Sequence, residues 1–263
     1  MAAQKGTAPD TGRPVKTILI SQPKPERSSY FDLESKWGIK IDWRPFIHVE
    51  GLSGKEFRKQ RIYLEEYTAI IFTSRGAIDH FFRICEETRF TVSDDMRYFC
   101  ISEAVSNYLQ KFINYRKRKV FVGEKTVEDF KPILLKAKAK DKFLLPCSNL
   151  GKKVLTSYLD EKEFNWTESM MYRTVASDLS DLTEVFYDVL VFFSPLGITS
   201  LYENFPTWEQ KDTRLAIFGN TTKAAVEEKG LKVDIPAPSP DAPSMPMAIE
   251  KYLEKVNKRK RRS

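Results

Sequence analysis

The chain has 263 residues, 41% of them hydrophobic and 13% aromatic, which is enough to form the cores of two domains of ordinary size. The net charge is +7, but residues 251–263 alone carry +6, which leaves +1 for the other 250 residues. Such a weakly charged body argues against a general nucleic-acid-binding protein. The basic end, 257–263, is interpreted either as a contact for RNA or a membrane surface or as a solvated chain end.

Several features predict a cytoplasmic protein. No apolar run approaches the roughly 18 residues of a membrane span, and residues 1–14 lack the apolar segment of a signal peptide and are predicted to be disordered. Cys85, Cys100 and Cys147 are far apart in apolar or strand-like surroundings. They are interpreted as reduced thiols, with neither a disulfide frame nor a metal cluster.

Strands and helices alternate along most of the chain. Apolar runs and helical spacing predict strands at 17–20, 69–72, 99–101, 119–122, 143–146, 189–193, 215–218 and 233–235. Helices are predicted at 28–37, 55–67, 77–87, 103–112, 127–137, 152–160, 198–204, 222–229 and 247–256. This alternation predicts parallel α/β sheets.

Part of the pattern occurs twice. The strand and turn at 69–78 resemble those at 189–198. The strand that leads into a helix at 98–109 likewise resembles the one at 215–226. The segment 15–38 is too short for a core of its own, and two extended stretches bracket 51–162. We therefore predict an inserted α/β domain, 51–162, between the halves of a discontinuous α/β domain, 15–38 plus 177–256. The extended stretches, 39–50 and 163–176, are predicted to form a two-stranded β ribbon between the two domains.

Hydroxyl side chains follow the strands at the predicted turns into helices. Free N–H groups and the helix dipole at such turns favour anions, so we expect an anionic ligand where the turns of the two domains face each other. Capping of each helix by its own hydroxyl is the alternative. The hydroxyl residues of these turns are Thr73, Ser74, Ser102, Ser148, Ser194, Thr221 and Thr222.

Five short motifs resemble the uroporphyrinogen-III synthase family over roughly 16–256. They are Ile71-Phe72-Thr73-Ser74, Leu145-Pro146-Cys147-Ser148-Asn149-Leu150, Tyr172-Arg173-Thr174-Val175, Phe192-Phe193-Ser194-Pro195-Leu196-Gly197 and Ile217-Phe218-Gly219-Asn220-Thr221-Thr222. The resemblance implies two flavodoxin-like parallel-sheet domains joined by a two-stranded β ribbon, one domain being inserted in the other.

The resemblance also implies a function. The substrate would be hydroxymethylbilane, cyclised with inversion of the last pyrrole ring and loss of water by a hydro-lyase of porphyrin and heme biosynthesis. No cofactor or metal is implied, and a monomer with no nucleic-acid or membrane partner is expected. A non-catalytic relative that binds a tetrapyrrole, another polyanion or a protein partner is the alternative.

The resemblance makes Tyr172 the candidate proton donor, with a structural tyrosine as the alternative. Arg75 could pair with a substrate carboxylate or be solvated, and Asn149 is grouped with Ser148 in the binding turn. The turn at Ser102 departs from the family pattern because Glu103 adds an anion and Val105 replaces a hydroxyl. These two residues place activity in question.

Overall fold

A computed structural model describes residues 13–151, 153–182 and 186–257. The predicted N-terminal segment, apart from residues 13 and 14, and the basic end beyond residue 257 lie outside that range. The described chain divides into two compact units. The discontinuous unit combines residues 13–48 with those from 175 onward, and the continuous unit is Val49–Thr174.

Strands and helices alternate as the sequence predicts. In chain order the elements are β1 Thr17–Ile20, α1 Ser29–Trp37, β2 Lys40–Trp43, β3 Ile47–Gly51, α2 Gly54–Arg58, β4 Ala69–Phe72, α3 Arg75–Thr88, β5 Arg97–Cys100, α4 Glu103–Leu109, β6 Val120–Val122, α5 Val127–Ala137, β7 Phe143–Ser148, α6 Lys153–Glu161, β8 Trp166–Ala176, β9 Val189–Phe192, α7 Pro195–Asn204, β10 Arg214–Phe218, α8 Asn220–Glu228, β11 Ile235–Ala237 and α9 Met245–Val256. Short 3-10 turns lie at Leu64–Glu66 and Lys117–Lys119.

The discontinuous unit is a parallel five-stranded sheet in the order β11-β10-β9-β1-β2. If the five strands of this unit are numbered 1 to 5 in chain order and the sheet is read from β2 to β11, the order is 2-1-3-4-5, which is the flavodoxin order. Alternate side chains of β1 point to opposite faces: Ile18 joins a cluster with Leu253 of α9, and Leu19 joins one with Leu201 of α7. Each face of the sheet is therefore covered by helices, as a parallel sheet requires.

The continuous unit has a six-stranded sheet in the order β3-β8-β7-β4-β5-β6. Strands β4, β5 and β6 occupy the places of β9, β10 and β11, and β7 and β8 occupy those of β1 and β2. The pairing registers agree, since Ala69 pairs with Phe143 where Val189 pairs with Ile18. The two units therefore share one strand layout, but the sequence of the continuous unit is circularly permuted.

The two predicted ribbon segments pair with each other in part, at β3 and β8, and their other residues pair within the two sheets. Lys40–Trp43 pairs in parallel with β1 at the edge of the first sheet, and β8 pairs in parallel with β7 inside the second. Only β3 lies beside β8 as the prediction required. The alternating polarity of both segments reflects strands with one exposed face, a pattern that does not identify the partner strand.

Two further elements differ from the prediction. The helix expected over 55–67 ends at Arg58, because Arg61 adopts a left-handed φ of 55° and Leu64–Glu66 forms a separate 3-10 turn. The last strand starts at Ile235 rather than Val233. Among the residues described, no helix is both long and apolar enough to cross a bilayer.

Candidate active site

The continuous unit has a topological switch point between β4 and β7. From β4 the chain passes through α3 to β5 on one side, and from β7 it passes through α6 to β8 on the other. Ligands of open α/β sheets bind at the carboxyl ends of the strands at such a point. A cavity of about 140 Å³ opens there, lined by Thr73, Ser74, Leu145, Cys147, Ser148, Leu150, Gly151, Leu155, Glu168 and Tyr172. The structure thus brings together four of the predicted site residues.

Ser74 and Tyr172 are in direct contact. The Tyr172 hydroxyl lies 3.3 Å from Ser74 Oγ, and either oxygen can donate. Ser74 is also the N-cap of α3, where its Oγ accepts the Ala77 N–H at 3.1 Å. The capping and ligand-binding interpretations therefore do not exclude each other. The same hydroxyl caps the N-terminus of α3 and contacts the phenol at the edge of the cavity.

The ring of Tyr172 stacks on His80. The ring centroids are 4.6 Å apart with an interplanar angle of 15°, within the range of stacked aromatic pairs. Arg83 Nε donates to His80 Nδ1 at 3.3 Å, which places the proton of the neutral imidazole on Nε2. Burial, and then the charge of Arg83, lower the pKa of His80. The imidazole beside Tyr172 is therefore neutral at pH 7.

The backbone of β8 around Tyr172 is fixed by its neighbours. The Gln60 side chain donates to the Met170 carbonyl at 2.7 Å and accepts the Met170 N–H at 3.0 Å. The Leu52 N–H donates to the Met171 carbonyl at 2.9 Å. These contacts surround the strand just before Tyr172, and so they orient its side chain toward the switch point.

Arg173 fastens the same strand through a carboxylate. Arg173 Nη2 donates to Glu56 Oε1 at 2.6 Å, and Glu56 forms a capping box with Ser53 at the start of α2. Hydrogen bonds from the Ser53 main chain and hydroxyl, followed by that from Arg173, lower the pKa of Glu56 to about 2. Arg173 is therefore engaged within the continuous unit, and its role here is to hold β8.

Two titratable cavity residues, Cys147 and Glu168, were not predicted as site residues. Cys147 is buried, and burial followed by the nearby Glu168 raises the pKa of its thiol to about 12, so it is not a nucleophile at neutral pH. Glu168 lies close to the main chain at Gly151: a Cβ added to residue 151 would be only 2.9 Å from Glu168 Oε1, closer than real Cβ atoms come to other atoms. The alternation of the extended segment could have indicated Glu168, because it stands four residues before Tyr172 on the same strand face.

The turn after β7 uses its polar groups locally. Ser148 Oγ accepts the Leu150 N–H at 3.1 Å. The Asn149 side chain donates to the Thr174 carbonyl at 3.1 Å and accepts the Thr174 N–H at 2.9 Å. Asn149 therefore ties this turn to the end of β8, and Ser148 remains the cavity-lining hydroxyl of the pair.

The first turns of α3 and α4 present different chemistry. The guanidinium of Arg75 lies 5.5 Å from the centre of the Tyr108 ring. Ser102 caps α4 by position but makes no side-chain capping bond. Val105 is 6% exposed and belongs to the core. The expectation that residue 105 occupies a ligand-binding position is therefore wrong, while Glu103 is exposed.

The discontinuous unit repeats the serine turn. Ser194 caps α7 by accepting the Gly197 N–H at 3.3 Å, as Ser74 caps α3. Gly219 replaces a hydroxyl residue at the cap of α8, with a φ of 85° that favours glycine. Thr221 is exposed in the first turn of α8, whereas Thr222 is only 1% exposed. Thr222 is therefore almost wholly buried, which argues against the predicted binding role for this residue.

Neither a metal centre nor a disulfide is present in the parts of the chain that the structure covers. No group of three or more His, Cys, Asp or Glu side chains there could hold a metal ion. The three cysteines are free and buried. The groups at the switch point are hydroxyls, a phenol, an imidazole and a carboxylate, an arrangement suited to proton transfer and hydrogen bonding.

Comparisons with known proteins agree with this architecture. The chain is 23% identical over 256 residues to the uroporphyrinogen-III synthase of Chlorobaculum parvum, covering 91% of this chain and 100% of that one. The solved uroporphyrinogen-III synthetase of Helicobacter pylori superimposes with a TM-score of 0.55 at 15% identity, over 91% of this chain and 99% of the other. A mutant uroporphyrinogen III synthase from Thermus thermophilus superimposes with a TM-score of 0.51 at 14% identity, over 92% of this chain and 99% of the other.

At these identities the two solved structures support the fold alone. The family model described as uroporphyrinogen-III synthase HemD matches residues 33–246, which is most of the chain and includes the serine turns, the switch point and Tyr172. The chain therefore belongs to the uroporphyrinogen-III synthase family.

Proposed function

We propose that this chain cyclises hydroxymethylbilane to uroporphyrinogen III, with inversion of the last pyrrole ring and loss of water, and that Tyr172 is the proton donor. Membership of the family supports the reaction. The contact between Ser74 and the Tyr172 hydroxyl at the switch-point cavity supports the assignment of the donor. The activity is that of a cofactor-free lyase of porphyrin and heme biosynthesis.

The first step needs a proton at the leaving oxygen. The bond between the terminal carbon and its hydroxyl breaks with its electron pair on oxygen, the phenol of Tyr172 protonates the departing hydroxide, and water leaves an azafulvenium cation beside the phenolate. Attack by the substituted carbon of the last ring gives a spiro intermediate, which fragments and closes again in the inverted orientation. The α-proton that the last ring loses at the final closure returns to the phenolate and restores the acid. The substrate supplies most of the reactivity, and so the protein contributes geometry and a placed acid.

The substrate carboxylates need hydrogen-bond donors. Thr73 and Ser148 line the cavity with Ser74, and the Ser102 hydroxyl is not used as a helix cap. Arg75 adds a charged donor on the exposed start of α3. Ser194 and Thr221 are the proposed carboxylate-binding residues of the discontinuous unit, each in the first turn region of its own helix.

A non-catalytic relative that keeps only the fold is the competing interpretation, and the family match does not favour it. Incubation of the purified protein with hydroxymethylbilane, followed by oxidation and separation of the porphyrin isomers, distinguishes the two. The III isomer is the expected product. Formation of the I isomer alone, at the spontaneous rate, would contradict the proposed activity. We also propose that the chain acts as a cytoplasmic monomer, which analytical ultracentrifugation of the purified protein and fractionation of cells test.

A further inference from the structure

We infer that His80 is a positioning residue for Tyr172 and that Arg83 holds His80 in place. The inference rests on the proposed role of Tyr172 as proton donor. His80 lies in the second turn of α3 and Tyr172 on β8, so their stacking joins a helix to a strand within the continuous unit. No other part of the proposed mechanism uses this imidazole.

The hydrogen bond to Ser74 restrains the phenol only weakly. Its 3.3 Å length exceeds the usual 2.5–3.0 Å of an O–H···O bond. Rotation about the Cα–Cβ bond of Tyr172 would carry the hydroxyl away from the cavity. The His80 ring covers one face of the phenol at 4.6 Å and obstructs that rotation on the side of α3. The stack therefore contributes the stronger part of the orientation.

Arg83 is anchored independently of His80. Its Nη2 donates to the carbonyls of Leu52 at 2.7 Å and Met171 at 3.2 Å, and its Nη1 pairs with Glu87. The carbonyl of Met171 belongs to the residue just before Tyr172. One guanidinium thus fixes both the main chain that carries the phenol and, through Nε, the ring that stacks on it.

The sequence leaves room for this guanidinium at Gly51. A Cβ at residue 51 would lie 2.7 Å from the Arg83 Cζ and Nη2 atoms and 2.9 Å from Nε. Real Cβ atoms do not approach other atoms that closely, and the guanidinium is tied on several sides. A side chain at Gly51 would therefore displace Arg83 and, with it, His80.

A double-mutant cycle tests the inference. His80→Ala is expected to lower kcat about tenfold with KM unchanged, below the roughly 10²-fold that a 1 Å misplacement can cost. His80→Phe keeps a flat ring and should restore kcat to within about twofold of the parent. In a Tyr172→Phe background, His80→Ala should cause no further loss. His48→Ala, at the only other histidine of the chain, is the matched control and should leave kcat unchanged.

The outcomes separate this inference from the function on which it rests. An unchanged kcat in His80→Ala, an equal loss in His80→Phe, or an additive loss in the Tyr172→Phe background would overturn the positioning role. Full turnover in Tyr172→Phe alone would instead remove the phenol from the proposed mechanism. Thermal unfolding is followed for every variant. If His80→Ala does not fold, His80→Leu, which keeps apolar bulk without a flat ring, replaces it in the same cycle.

Discussion

The corresponding strands β2 and β8 of the two units end differently although the sheets share one layout. β2 stops at Trp43 after four residues, with one further bond to β1 from the Arg44 N–H to the Ile20 carbonyl at 3.0 Å. β8 runs for eleven residues, from Trp166 to Ala176, and its pairing with β7 reaches Tyr172. The serine turns, in contrast, are the same in both units, because Ser74 and Ser194 cap their helices through equivalent bonds.

The comparison teaches that the shared turns are part of the scaffold, whereas the extension of β8 provides the candidate chemistry. A capping serine stabilises its helix whether or not a ligand is present. The phenol of Tyr172 reaches the cavity only because the strand continues past the point where β2 ends. Variants should therefore affect activity most when they change the extension and least when they change the turns alone.

The largest effect is expected from removing the phenol oxygen. Tyr172→Phe should lower the rate of type III product formation by up to about 10²-fold, the lower end of general-acid contributions, because the substrate is itself reactive. The midpoint of urea unfolding should hardly change. Tyr63→Phe, at a tyrosine that is 57% exposed, is the control. An unaltered rate in Tyr172→Phe would mean that the extension carries no catalytic group.

A matched pair of serine variants sharpens the comparison. Ser74→Ala and Ser194→Ala should each destabilise by about 1 kcal/mol through loss of the cap. Only Ser74→Ala also removes the partner of the Tyr172 hydroxyl, and so it should reduce kcat several-fold more than Ser194→Ala. Urea titrations and initial rates on the same preparations measure both quantities. Equal losses of kcat would contradict the distinction between scaffold turn and active-site turn.

The attachment of β8 should be visible as a pH-dependent stability. The pKa of Glu56 is lowered to about 2 in the folded chain, from about 4.3 in an unfolded one. Its ionised form therefore stabilises the fold fully above about pH 4.3, and this contribution disappears as the pH falls through about 2. Glu56→Gln should lower the urea midpoint at pH 7, and the gap to the parent should narrow between pH 4.3 and 2.

Arg44→Gln provides a comparison in the other unit, because Arg44 pairs with Asp181 within the discontinuous unit. Its effect on the urea midpoint should be small, as is usual for an exposed ion pair. A gap between Glu56→Gln and the parent that stays constant from pH 7 to pH 2 would contradict the role assigned to Glu56.

The smallest effect concerns the turn after β5. Glu103→Asn should tighten uroporphyrin binding about twofold at low salt, because an exposed carboxylate that repels the anionic ligand is removed, and the gain should vanish at high salt. Glu128→Gln, in the first turn of α5, is the control. Equal affinities of Glu103→Asn and the parent at low salt would place the ligand elsewhere. Val105→Thr should only destabilise, since it puts a hydroxyl into the core.

The sequence predicted the parts of the fold that depend on local patterns. The run 69–78 and its repeat at 189–198 combine a buried strand with a capped helix, and both formed as expected. The correspondence of 17–43 with 143–168 was missed, because the turns that follow their first strands, Ser21-Gln22-Pro23 and Cys147-Ser148-Asn149, share little chemistry. The strand partners of 40–43 and 166–176 depend on contacts that are distant in sequence, which alternation alone does not specify.

The candidate site was predictable to a similar extent. Family motifs identified Ser74 and Tyr172, which the structure brings together. His80 is not among the predicted site residues, because its stacking partner Tyr172 lies on a strand 92 residues later in the chain. Thr222 was selected for its turn position, but the phase of α8 buries it. Which face of a first helical turn is buried depends on the sheet below it, and the sequence gives no direct sign of that.

The interrupted path of the chain has a consequence for synthesis on the ribosome. Strands β1 and β2 emerge early, but β9, which pairs with β1 on the side away from β2, begins only at Val189. The 145 residues between Trp43 and Val189 take roughly 7 to 30 s to translate at bacterial and eukaryotic rates. During that interval Val49–Thr174 can complete its own sheet. The nascent chain should therefore acquire protease resistance in its middle first, with Thr17–Trp43 protected only after the last third has been made.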